Sequence, residues 1–337
     1  MKAVGYRRSL PITEADSLID IELPDPKPIG RDLLVQVKAV SVNPVDTKVR
    51  MRQAPQAGET KVLGWDAAGV VVELGPDVHL FKPGDEVWYA GSLVRPGTNA
   101  EVHLVDERIV GKKPKSLGFA EAAALPLTTI TAWELLFDRF GVPPGKRFTD
   151  ESLLIIGAAG GVGSILTQLA RRLTAMTVIG TASRKETADW VLSLGAQYVI
   201  DHSKPLSAEL RRIGIPAVTH IASLTQTDTH FPEIIESLAP QGKLGLIDDP
   251  PPIDVNQLKR KSISLHWELM FTRPLFGTAD MIAQHRLLSE AAELVDAGVI
   301  RTTFGEHFGC INAENLKRAH ALIEGGKAKG KIVLEGF

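Results

Sequence analysis

Gly160, Gly161, Val162 and Gly163 stand where an apolar run, 153–156, breaks into a turn and a helix-like stretch begins at Ser164. The form Ala158-x-Gly160-x-x-Gly163 reads as strand, tight turn and helix start, with alanine where the first fingerprint glycine usually sits. Small residues at this spacing let backbone N–H groups at a helix N-terminus approach a dinucleotide pyrophosphate. About 20 residues further on, the second apolar run, 177–181, leads into Ser183, Arg184 and Lys185. A carboxylate at that point would bond both ribose hydroxyls and repel a 2′-phosphate. Here a hydroxyl, a guanidinium and an ammonium replace it, and arginine can grip phosphate oxygens bidentately. NADPH is therefore expected over NADH. The competing reading is a solvated helix start, against which stands the macrodipole's preference for an anion near that end.

These groups need a scaffold of alternating strands and helices. From about residue 125 the pattern is βαβ-like: strands at 153–157, 177–181, 198–200, 218–222 and 243–247, with helices at 161–173, 185–194 and 229–239. Short links between such units predict a parallel, doubly wound Rossmann sheet, with 263–267 as its last strand. Before that point, short β-like runs such as 33–42, 69–74 and 85–89 lie between Pro/Gly turns, which predicts a compact β-rich domain. Apolar spacing predicts a helix within 278–298, stopped at Gly298, followed by short strands. The expected fold is α/β, with residues 125–272 forming the nucleotide domain and 1–124 with 273–337 the other.

The 337 residues are 44% hydrophobic and 23% charged, with a formal charge of −2. That balance argues against a broad electrostatic grip on nucleic acid or anionic membranes. No apolar run reaches the ~20 residues that span a bilayer. The first residues read directly as strand, without a secretory h-region. Cys310 is the only cysteine, so an intrachain disulfide and a cysteine-rich metal site are excluded. A cytoplasmic protein is expected.

Several segments resemble the medium-chain dehydrogenase/reductase superfamily over nearly the whole chain. They are Ser41-Val-Asn-Pro-Val-Asp46, Leu63-Gly-Trp-Asp-Ala-Ala-Gly-Val-Val71, Lys82-Pro-Gly-Asp-Glu-Val87, the 122–132 stretch, the glycine turn and Lys329-Gly-Lys-Ile-Val-Leu334. Within it the chain resembles the quinone oxidoreductases, and most closely the zinc-type alcohol dehydrogenase-like proteins. The resemblance implies a GroES-like β-rich domain beside the Rossmann domain. It also shows where catalytic zinc ligands would fall: Asn43, Trp65 and about Leu127. An indole and an isobutyl group cannot ligate zinc, so no zinc is expected.

Without a metal to acidify an alcohol, the expected reaction is hydride donation from NADPH to an electron-poor acceptor, a quinone or an α,β-unsaturated carbonyl. The resemblance places Asn43, Asp46, Trp65 and Thr131 in the pocket and His202 near the adenosine phosphate. Asn43 would offer its amide to a substrate carbonyl, Trp65 an apolar wall, and Thr131 a contact near the nicotinamide carboxamide. Lys48 and Val49 replace the family's aromatic pair. Each has a structural alternative: Asn43 a turn former, Asp46 a helix cap, Trp65 ordinary core, and Cys310 an inert thiol. Two further readings stay open, a zinc-type alcohol or aldehyde dehydrogenase with different ligands and a non-catalytic NADPH-binding protein. A homodimer through the sheet edge near 263–267 is expected by resemblance.

Overall fold

The computed structural model describes residues 1–146, 150–326 and 328–337. It divides into two compact units, Met1–Ile130 with Phe271–Phe337, and Thr131–Met270.

In the second unit, six parallel strands among the described residues run in the order Tyr198–Ile200, Thr177–Thr181, Ser152–Ile156, Val218–Ser223, Leu238–Leu246, Ser264–Trp267. Numbered along the unit this is 3-2-1-4-5-6, the order of a dinucleotide-binding sheet whose switch point follows the central Ser152–Ile156 strand. That strand is buried at every residue, which explains why its sequence is continuously apolar rather than alternating. The helix Gly161–Leu173 buries Ile165, Leu166, Leu169 and Ala170. Each such leucine or isoleucine contributes about 1.5–3 kcal/mol on burial. A Cβ on Gly163 would lie 2.4 Å from the Gly157 carbonyl oxygen, so only glycine lets the helix close onto the turn.

In the first unit, the long strand Asp32–Val42 is the spine of a seven-stranded sheet among the described residues. It pairs antiparallel with Ala67–Leu74, Val102–Asp106 and the C-terminal strand Lys331–Glu335. The last pairing sets Val42 opposite Ile332. It thereby brings Lys331 to the strand end that leads into the helix Pro44–Arg52.

The sequence reads 120–137 as mostly helical, with Pro126 interrupting or starting a helix, and the stretch is two helices, Phe119–Ala123 and Pro126–Trp133, followed by a π-helical turn, Glu134–Arg139. The proline starts the second helix, where its missing N–H costs nothing. The C-terminal region, expected as strands, also contains the helix Ala313–Glu324. Its buried face is Ala313, Leu316, Ala319 and His320. No described helix is long and apolar enough to cross a membrane.

Candidate functional site

The glycine turn is built around Gly157, whose φ of +84° only glycine adopts freely. It takes over the tight-turn duty that Ala158, fully buried, does not perform. The Gly160 N–H closes the turn onto the Gly157 carbonyl at 3.1 Å, and the Ser164 N–H begins the helical ladder on the Gly160 carbonyl at 2.9 Å. Gly160 is the N-cap and supplies no side-chain cap. The opening N–H groups at Gly161, Val162 and Gly163 therefore present the helix's positive end without an internal acceptor from the cap. The Gly157 N–H donates to Thr181 Oγ1 at 3.2 Å, tying the turn to the end of the neighbouring strand.

Ser183, Arg184 and Lys185 follow that strand end and are all exposed. Arg184 is the N-cap of the helix Lys185–Ser193 and makes no side-chain cap. Lys185 is engaged by Asp189 one turn on, Nζ to Oδ2 2.6 Å, so Arg184 is the cation better placed for an incoming anion. Thr181 pairs in register with Ile200. Ser183 and His202 therefore each stand two residues past the same rung of two parallel strands. His202 meets the His230 ring edge-on at 6.3 Å, and its Nδ1 is buried with no hydrogen-bond partner.

Sequence reasoning missed the polar groups on the next strand ends. Thr227 receives Ser223 Oγ at 2.7 Å, donates its hydroxyl to Asp248 at 2.7 Å and its N–H at 3.0 Å. Gln226, just before it, holds a left-handed conformation. Their signal was position: all follow the carboxyl ends of parallel strands, where such sheets receive ligands.

In the first unit, three of the expected pocket residues lie in one buried cluster or beside it. Asn43, Asp46 and Trp65 are each only 1% exposed. Asp46 accepts the Asn43 backbone N–H at 2.7 Å, capping the helix it opens. Burial pushes the Asp46 carboxyl up to about 7, opposed by that N–H and by the Lys331 charge. The Asn43 amide donates to Asp66 Oδ2 at 3.0 Å and leans on the Ser41 carbonyl at 3.4 Å. Its Oδ1 accepts from the Lys331 ammonium. Asp66 gathers four donors: Ser41 Oγ at 2.8 Å, Asn43 Nδ2 and Lys331 Nζ at 3.0 Å, and the Leu127 N–H at 3.0 Å. The Asn43 amide thus faces other protein groups. Trp65 donates its indole N–H to the Ser92 carbonyl at 3.1 Å and packs edge-on to Phe271. Thr131 lies buried in the helix Pro126–Trp133, in the second unit. Asp66 and Lys331, the centre of the cluster, were read only as parts of family-like segments.

This donor set does not fit a zinc ion. Trp65 and Leu127 offer no lone pair, and the one amide oxygen, on Asn43, already faces an ammonium group. Among the described residues no group of three or more His, Cys, Asp or Glu is arranged to hold a metal.

Against known proteins, residues 30–131 match the alcohol dehydrogenase GroES-like domain and residues 194–334 the zinc-binding dehydrogenase family. A zinc-type alcohol dehydrogenase-like protein of Staphylococcus aureus is 42% identical over 339 residues, covering 99% of each chain. A Rhizobium etli crystal structure, provisionally termed a zinc-dependent alcohol dehydrogenase, is 60% identical at TM-score 0.96, covering 100% of this chain and 98% of that one. A mycobacterial protein solved with NADPH is 27% identical at TM-score 0.84, covering 99% of this chain and 100% of that one. Bacterial quinone oxidoreductases share the fold.

Proposed function

Since the chain belongs to the medium-chain dehydrogenase/reductase superfamily, among its zinc-type alcohol dehydrogenase-like members, we propose that it is an NADPH-dependent reductase of quinones or α,β-unsaturated carbonyls that works without zinc. The observation that carries this reading is the uncapped start of the Gly161–Leu173 helix, pressed so close to its turn that a Cβ at 163 is excluded. Bound there, NADPH would supply a hydride from its nicotinamide C4.

The chain's own groups do the holding. The N–H groups of Gly161, Val162 and Gly163 donate to pyrophosphate oxygens. Ser183 and Arg184 take the 2′-phosphate, and His202, whose Nδ1 is buried without a partner, lines the same corner. Lys185 adds charge at longer range, because Asp189 already holds it. Hydride transfer to a polarised acceptor needs alignment more than acid–base power. Thr131 is assigned to the nicotinamide side of the pocket. The Asn43–Asp46–Asp66–Lys331 cluster acts by fixing the start of the Pro44–Arg52 helix. The poor fit of Asn43, Trp65 and Leu127 to a metal favours a quinone or enone over an alcohol, whose oxidation in this superfamily relies on zinc.

A homodimer is part of the same reading. The outer strand Ser264–Trp267 pairs on one side only among the described residues. Trp267 and Leu269 beside it are 54% and 50% exposed. An open strand edge flanked by large apolar side chains suits pairing with a second copy.

The test is NADPH oxidation, followed optically, against a panel of quinones and enones after metal removal. Turnover that survives chelation supports the proposal. Loss on chelation with recovery only on adding zinc sinks it in favour of an alcohol dehydrogenase. Tight NADPH binding with no turnover across the panel would instead favour a binding protein.

A further inference from the structure

The glycine turn and the Arg184 corner of the second unit open two different helices, and one side chain joins those helices. Arg184 caps the helix Lys185–Ser193, whose buried face is Thr187 and Val191. Trp190 stands at the edge of that face, partly exposed. Its indole N–H donates to Ser164 Oγ at 2.8 Å, across to the helix Gly161–Leu173. Ser164 is fully buried, and its hydroxyl turns back to the Ala159 carbonyl at 3.4 Å, within the glycine turn itself. A buried hydroxyl that accepts on one side and donates on the other uses both of its hydrogen-bonding functions. The path Trp190–Ser164–Ala159 thus runs from the helix that Arg184 caps to the turn that opens the other helix.

Packing brings the same elements together. A Cβ at Gly180 would lie 2.4 Å from Val191 Cγ1 and 3.0 Å from Ala158 Cβ, so helix and turn press on one point of the strand Thr177–Thr181. A Cβ at Gly195 would meet Arg171 Cγ at 3.0 Å, so the two helices are also close where the second one ends. Apolar contacts of this kind are non-directional and let one helix slide along the other. A hydrogen bond weakens steeply out of line and so fixes the register. We infer that Trp190 is a positioning residue for cofactor choice: by pinning its helix to the glycine turn through Ser164, it sets the span from the N–H groups of 161–163 to Arg184. The inference rests on Ser183 and Arg184 being the 2′-phosphate ligands. NADH and NADPH share the pyrophosphate and differ in that phosphate, so a fixed span favours NADPH alone. Arg184 is exposed, and holding its backbone in place lowers the ordering cost of gripping the phosphate.

The test is NADPH and NADH affinity, by titration calorimetry, of the full-length protein and its variants. Trp190→Phe keeps a ring at the helix edge and removes the N–H. It should lower the preference for NADPH over NADH about three- to tenfold, the worth of one hydrogen bond, with NADH affinity nearly unchanged. Ser164→Ala should lower the preference by a similar factor, and the double variant no further than either single one, because both break the same path. In an Arg184→Ala background, Trp190→Phe should leave the ratio where it is. An unchanged ratio in Trp190→Phe, while Arg184→Ala abolishes the preference, would overturn the positioning role and leave the 2′-phosphate assignment standing. Equal losses for both cofactors in Trp190→Phe would overturn it too, as the mark of a purely structural side chain. A wild type without NADPH preference, or a preference that Arg184→Ala leaves intact, would remove the phosphate assignment and this inference with it. Should Ser164→Ala fail to fold, the cycle of Trp190→Phe with Arg184→Ala decides alone.

Discussion

The Lys331 ammonium and the Asp66 carboxylate form an ion pair 3.0 Å apart, with side chains only 3% and 0% exposed. Lys331 arrives from the C-terminal strand and Asp66 from the segment leading into Ala67–Leu74, and both meet Asn43 at the head of the Pro44–Arg52 helix. Three distant stretches of the first unit therefore share one buried charge balance. Lys331→Met should leave Asp66 buried without its counter-charge and destabilise the protein by about 3–5 kcal/mol in urea unfolding. Replacing both partners with apolar residues of similar volume should recover much of that loss. A single variant within about 0.5 kcal/mol of wild type would mean the pair is solvated.

Stability should respond to pH through buried groups of opposite sign. The Asp46 carboxyl is raised to about 7, so the folded state holds its proton longer than the unfolded chain does. Its stabilising contribution is complete below the ordinary aspartate range and falls as pH rises to about 7. Asp46→Asn should therefore gain stability relative to wild type across that window and keep a constant difference above it. A parallel melting-temperature profile for the two proteins would refute this assignment.

Histidines act on the acid side. Burial lowers His320 to about 3 and His103 and His220 to about 4. All three are neutral when folded, and their contribution is present above the ordinary imidazole range and lost as pH falls towards those values. His320, which also feels the Arg50 charge, is the most depressed of the three. His320→Gln, if it folds, should flatten the acid limb of the melting-temperature profile below about pH 6.5.

The approach of helix to turn is a packing claim with a sharp substitution. Gly163→Val would place a Cβ 2.4 Å from the Gly157 oxygen and 2.6 Å from the Ala158 Cα. The helix must move, at a cost of about 1–3 kcal/mol. NADPH binding, measured by titration calorimetry, should weaken more than stability does. Unchanged affinity would show that the helix start does not hold the cofactor.

Cofactor preference separates two adjacent cations. Arg184→Ala should weaken NADPH by about 1.5–3 kcal/mol and leave NADH nearly unchanged. Lys185→Ala should do much less, since Lys185 is an exposed partner of Asp189. Equal losses for the two cofactors on changing Arg184 would remove the 2′-phosphate assignment.

The parallel sheet was legible because its central strands, such as Ser152–Ile156, are buried on both faces and read as apolar runs, and the glycine turn because its spacing answers a backbone constraint. The Ala313–Glu324 helix was not read, although its buried face of Ala313, Leu316, Ala319 and His320 repeats at helical spacing. The candidate pocket residues could be named from the sequence, but not their bonding. Asn43 and Trp65 are where the resemblance puts them along the chain, but their polar atoms turn to Asp66, Lys331 and Ser92. Those partners lie from 23 to 288 residues away, and only the folded sheet brings them together.

The most direct measurement is a rate of NADPH oxidation with a quinone and an enone acceptor, made on protein shown by elemental analysis to be zinc-free. The account predicts turnover with at least one of them, a preference for NADPH over NADH that Arg184→Ala abolishes, and no change on adding zinc. Turnover that requires zinc, or none with either acceptor despite tight NADPH binding, would contradict it.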